Sequence, residues 1–86
     1  MKIKDLPEEE RPREKLLAHG AHSLSVVELL AILLRTGRRG EDVLEFSASL
    51  LNDWGGLEGL CRADAKELMG EKGLNSAKVA TLAAVI

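Results

Sequence analysis

Gly73-Leu74-Asn75-Ser76-Ala77-Lys78 is the stretch that decides the fold. A glycine, an apolar residue and a second residue tolerant of left-handed backbone stand between two segments of helical pattern. That is the turn of a helix–hairpin–helix unit. Positive φ angles at Gly73 and Asn75 would turn the loop amides outward. With the N-terminus of the following helix, near Ser76, those amides would hold a phosphate without reading a base. Leu74 would plug inward and tie the two helices together, while Lys78 and Lys72 would add positive charge beside the phosphate. The alternative is a plain helix connector that binds nothing.

The helix before this turn opens on Asp64-Ala65-Lys66-Glu67, a capping-box pattern with Asp in place of Ser, and runs through Met69. The helix after it carries Val79, Leu82 and Ile86 on one face. Toward the N-terminus the same order recurs. Ser25-Val26-Val27-Glu28 is a capping box, and the helix it opens, through Leu34, is apolar on nearly every side, which predicts the central buried helix. Arg35-Thr36-Gly37-Arg38-Arg39-Gly40 follows, then an amphipathic helix over about 41–53 with Val43, Phe46 and Leu50 on one face. Gly37 stands six residues before Val43, as Gly73 stands six before Val79. Residues 25–53 and 64–86 therefore read as two pseudo-repeats, although amphipathic helices share such spacings freely. In the repeated reading, Arg35, Gly37, Arg38, Arg39 and Gly40 form a first hairpin, and two adjacent hairpins would take one phosphate from each strand of a duplex. The alternative is a solvated loop with Arg38 or Arg39 paired to Glu41 or Asp42.

Outside these units, residues 1–12 show no helical period and read as an extended segment. Pro12 suits the first position of a helix over 13–19, with Leu16 and Leu17 buried and Gly20 as its left-handed stop. Gly55-Gly56 ends the helix over 41–53 with Trp54 packed at its end, and Leu57 to Leu60 leaves room for a short turn. The helix that begins near Ser76 reaches Ile86 without a cap, the pattern of a piece of a longer protein.

Composition agrees with an all-α fold. Eighty-six residues make one small domain, 45% apolar and 30% charged, with Phe46 and Trp54 as the only aromatics and no Tyr. Twelve basic against fourteen acidic residues give a net charge of −2, so any attraction to nucleic acid must come from local placement. Cys61 is the single cysteine, which excludes an internal disulfide, fits a reducing, cytoplasmic setting, and reads as a small buried apolar residue. Met1 to Pro7 holds no apolar core of signal-peptide length and the apolar run over 29–34 is far short of a membrane span, so neither export nor membrane insertion is expected. His19 and His22 lack partners at metal-ligand spacing, and Glu8-Glu9-Glu10 lacks the loop spacing of a cation site. No nucleophile triad or phosphate-binding P-loop is present. No enzyme, metal or cofactor is expected in these residues.

Ile3-Lys4-Asp5-Leu6-Pro7 and Arg11-Pro12-Arg13-Glu14-Lys15-Leu16-Leu17 resemble the opening of RadC-family proteins. So do Glu28-Leu29-Leu30-Ala31-Ile32-Leu33-Leu34-Arg35-Thr36-Gly37, Gly55-Gly56-Leu57, Gly59-Leu60 and Gly73 with Ala77-Lys78, in the same order. The resemblance covers essentially the whole chain. It implies the N-terminal all-α, helix–hairpin–helix domain (similar to the second domain of RuvA) of a bacterial protein tied to DNA repair. It also implies a following domain like the JAMM zinc metallohydrolases, whose metal ligands do not lie in this chain. The family's hairpin carries an apolar residue and a second glycine where this chain has Glu71 and Asn75, and both changes weaken a phosphate site. Two functional expectations follow. One is sequence-independent DNA binding in the service of the downstream domain. The other is a protein-interaction or structural domain that packs on that domain or on a second copy.

Overall fold

Three capping boxes set the helical frame of the computed structural model, which describes residues 2–85. Ser25 and Glu28, Asp42 and Glu45, and Asp64 and Glu67 each exchange side-chain and backbone hydrogen bonds at 2.7–3.2 Å. Each box satisfies two amides that a helix start leaves unpaired, and loss of the capping side chain costs about 1 kcal/mol. They open α2 (Val26–Leu34), α3 (Val43–Trp54) and α5 (Ala65–Met69). Before them lies α1 (Pro12–His19), with Pro12 at its first turn and Gly20 at φ +87° as its stop. α4 (Gly56–Arg62) and α6 (Ser76–Val85) complete an all-α fold with no regular strand among the described residues.

The core is built around α3. Phe46 and Leu50 are fully buried and meet Leu30, Ala31 and Leu34 of α2, Leu60 of α4, Leu68 of α5, and Val79 and Leu82 of α6. Ser47, also fully buried, donates its hydroxyl to the Val43 carbonyl at 2.7 Å, so no polar atom there lacks a partner. α2 was expected at the centre, but it is buried on one face only; Val26 is exposed and Leu29, Ile32 and Leu33 are half-buried. Burial follows the elements packed on each face: α3 covers the inner face of α2, whereas α1 and α6 cover it less extensively and leave part of its apolar surface open.

Other expectations shift as well. The segment read as extended, residues 1–12, is described from residue 2 and is not extended there: 3-10 turns at Ile3–Asp5 and Glu8–Glu10 fold it back before Pro12 opens α1, and the Ile3 amide donates to Asp42 Oδ2 at 2.7 Å. Leu17 is exposed rather than buried, leaving Leu16 as the half-buried leucine of α1. Residues 57–60 belong to a seven-residue helix, α4, not to a short turn. Gly55, at φ +82° and ψ +38°, ends α3, and the Trp54 carbonyl lies so close to Gly59 that a Cβ there would overlap it. The chain can therefore double straight back. Cys61 is exposed, because the neighbouring Leu60 takes the core-facing position of α4. Val79 and Leu82 take the expected inward face of α6, and Ile86 lies outside the described residues.

Candidate nucleic-acid interface

The arginine-rich connector 35–42 and the glycine-bearing connector 70–75 lie against each other. Gly73 has φ +95°, and a Cβ there would stand 2.7 Å from Arg38 Cβ and 3.0 Å from Phe46 Cζ. Glycine is thus required twice over, by backbone angle and by space. Across this contact Arg38 Nη1 donates to Glu71 Oε2 at 2.8 Å and to the Lys72 carbonyl at 2.9 Å, while Nε donates to Glu41. The guanidinium also lies 4.6 Å from the centroid of the Phe46 ring. In return, Lys78 Nζ donates to the Thr36 carbonyl at 2.6 Å and sits 5.5 Å from the same ring centroid. Glu71 joins a third element, its Oε1 accepting from Trp54 Nε1 at 2.8 Å.

This clasp governs the electrostatics. The hydrogen bond to Glu41 raises the Arg38 pKa above its ordinary value, burial opposes that, and Glu71 adds to it. The Ser49 hydroxyl, then Arg38, hold the Glu41 carboxyl below the usual range against a burial effect of opposite sign. Burial pulls the Lys78 ammonium down. Two of the expected phosphate ligands are therefore engaged inside the protein. Arg38 faces two carboxylates, and Lys78 is spent on backbone carbonyls.

The remaining expected site residues divide. Leu74 is buried and plugs inward. Asn75 is not in the left-handed region; its Oδ1 accepts from the Lys78 amide at 2.9 Å and caps α6, occupying one of the amides a phosphate would use. The first-turn amides of Ser76 and Ala77, on exposed residues, have no partner within the helix. In the first connector, Arg38 and Glu41 exchange backbone hydrogen bonds at 3.0 and 2.9 Å, so their amides face each other and not outward. Gly37 does not have positive φ; it is glycine because a Cβ would overlap the Glu41 carbonyl. Gly40, at φ +86°, turns the loop. Arg35, Arg39 and Lys72 are exposed.

Arg35 is the one non-glycine residue with positive φ among the described residues, at φ +70° and ψ −49°. The Thr36 amide donates to the Leu34 carbonyl at 2.8 Å across it, which makes a γ-turn of the strained, positive-φ form. Arg35 borders a cleft of about 520 Å³ lined also by Lys2, Lys4 and Arg11. An adjoining cleft of about 220 Å³ adds Arg13. Asp42 and Glu14 are the carboxylates in these linings, and Asp42 is already committed to its capping box and the Ile3 amide. Sequence reasoning missed Lys2, Lys4, Arg11 and Arg13. In the chain they alternate with Asp5, Glu8, Glu9, Glu10 and Glu14, and only the two 3-10 turns sort the signs.

Residues 3–80 match the family model described as UPF0758 N-terminal. A UPF0758 protein of Desulfitobacterium hafniense is 53% identical over 85 residues, which is 99% of this chain and 37% of that protein. One of Methylibium petroleiphilum is 55% identical over 84 residues, covering 98% of this chain and 38% of its own length. One of Clostridium botulinum is 46% identical over 85 residues, with coverages of 99% and 37%. The chain thus spans little more than a third of the relatives it matches. No solved structure matches it. The family model covers 78 positions of this chain and the relatives align over nearly all of it, so the chain belongs to the UPF0758 family of RadC-like proteins, as their N-terminal domain.

Proposed function

We propose that this domain binds the phosphate backbone of DNA without reading sequence, and does no chemistry of its own. The binding surface is the pair of adjoining clefts bordered by Arg35 and Arg11 with Lys2, Lys4 and Arg13, together with Arg39, Lys72 and the open amides of Ser76 and Ala77 on the clasped loops. Arg38, Gly37, Gly40, Gly73, Leu74, Asn75 and Lys78 act one step back, holding those loops in place. The observation that carries the reading is the strain at Arg35. Glycine would sit there without the steric penalty of positive φ, yet an arginine occupies the position and borders a basic cleft. The RadC resemblance implies that the remainder of the full-length protein includes a JAMM-type metallohydrolase domain, which this domain would serve by holding the nucleic acid.

The test separates stability from binding. Arg35→Gly should stabilise the fold by about 1 kcal/mol, because it relieves the positive φ. The same change should weaken binding to a mixed-sequence duplex about three- to tenfold, measured by fluorescence anisotropy at 50 mM salt. If duplex affinity is unchanged in Arg35→Gly and in Arg39→Ala plus Lys72→Ala, the proposal fails.

A further inference from the structure

Between α1, α2, α4 and α6 lies a groove of about 570 Å³ that reaches the core residues Leu30, Leu60 and Leu82 and whose lining carries no charged side chain. Leu16 of α1, Leu29 and Leu33 of α2, Leu57 and Cys61 of α4, and Val85 of α6 form its walls. Val26, Leu57 and Val85 are exposed there to 43%, 48% and 61%. Contiguous apolar surface of this kind in a small monomer marks a contact site. The domain exposes 5539 Å² in all, roughly a tenth above the about 5,000 Å² that surface scaling gives a compact protein of this mass. The helical frame, then, leaves apolar surface uncovered between α1, α2, α4 and α6.

We propose that this groove is filled, in the full-length protein, by an apolar segment of the polypeptide that follows residue 86. Three observations select that occupant. The relatives devote nearly two thirds of their length to sequence this chain does not span, and the family description places the matched unit at the N-terminus. Val85, the last described residue, is itself part of the groove wall, so the continuing chain leaves from the rim. Finally, the domain is 36 Å along its longest axis, a distance that about eleven extended residues cross. A tethered segment that close sees the groove at a millimolar effective concentration, so a modest apolar stripe suffices to dock. The groove has no charged group to pair with, so the segment presents Leu-, Ile- or Val-type residues, most simply at the i, i+3, i+4 spacing of a helix laid between α1, α2 and α4. The inference stands apart from the DNA reading, which uses the opposite chemistry and other residues.

Cys61 supplies the probe, since it is exposed and sits in the groove wall. Its alkylation rate by iodoacetamide is measured by peptide mass spectrometry in the 86-residue chain and in the full-length protein. Docking predicts labelling at least tenfold slower in the full-length protein, and Leu57→Glu should restore the fast rate there while the melting temperature of the 86-residue chain stays within a few degrees. Val26→Asp is the second variant, placed on another wall. Equal rates in the two lengths would overturn the proposal, as would protection that neither variant relieves. Protection that appears in the 86-residue chain alone as its concentration rises would also overturn it, in favour of a second copy as the occupant.

Discussion

Arg38 and Arg39 are neighbours with opposite roles. Arg38 bridges Glu41, Glu71 and the Lys72 carbonyl, whereas Arg39 is exposed. Arg38→Met should therefore lower stability by about 2 kcal/mol, the loss of charge-assisted hydrogen bonds that leaves Glu71 short of a partner. Arg39→Ala should move it by less than about 0.5 kcal/mol. Urea midpoints check both. For the same reason a charge reversal at Arg38 or Lys78 is a poor probe of DNA contact, since it opens the clasp before it tests binding. The pairing of Arg38 with Glu41 was legible as one alternative from local spacing. Its pairing with Glu71 was not, because the two lie 33 residues apart and nothing local links them. Glu71 looked like a blemish in a phosphate loop and is instead the acceptor for both Arg38 and Trp54. Glu41 gives a pH signature. The Ser49 hydroxyl and Arg38 hold its folded pKa below its ordinary value of about 4.5. Its stabilising effect is present above that value and is lost as pH falls through the depressed folded value. Glu41→Gln should remove that part of the acid-unfolding slope below pH 4.5, measured by urea titration at stepped pH.

At the scale of elements, the capping boxes were the most legible feature, because a box is complete within four residues. Ser25–Glu28 and Asp64–Glu67 were read directly; Asp42–Glu45 was passed over because Glu41 looked like the helix start. That box does more than the others. Asp42 also accepts from the Ile3 amide, 39 residues away, and so fixes the N-terminal turn that brings Lys2 and Lys4 to the cleft. Asp42→Ala should cost about 2 kcal/mol, against about 1 for Ser25→Ala. Hydrogen exchange at the Ile3 amide should rise in the first variant and not in the second. α4 escaped sequence reading for a physical reason. Two adjacent glycines with positive φ normally break a helix, and here they reverse it into another. Residues 25–53 and 64–86, read from the sequence as pseudo-repeats, each carry a capping box, a connector glycine and inward apolar positions. Their glycines do different work: Gly37 yields space to a carbonyl, and Gly73 supplies positive φ beneath Arg38.

For the whole molecule, a net charge of −2 gives no bulk attraction to DNA, so binding depends on how the fold sorts twelve cations among fourteen acids. Sorting is what the sequence hides. Arg38 and Lys78 turn inward, Lys15 pairs with Glu28 at 2.7 Å, and Arg62 pairs with Glu58 at 2.6 Å. Arg35, Lys2, Lys4, Arg11 and Arg13 gather along two adjoining clefts. If about four of these neutralise phosphates, log K should fall with log salt at a slope of about −3.6, or about a hundredfold between 50 and 200 mM. Removing one cleft cation, as in Lys4→Ala or Arg13→Ala, should reduce the slope by about 0.9 for any duplex sequence. Arg62→Ala, on α4 and paired to Glu58, should leave it unchanged. A slope near zero, or one that responds to Arg62 and not to Lys4, would mean that the cleft does not meet the phosphate backbone, and the sign of the whole domain would then prevail over its one basic edge.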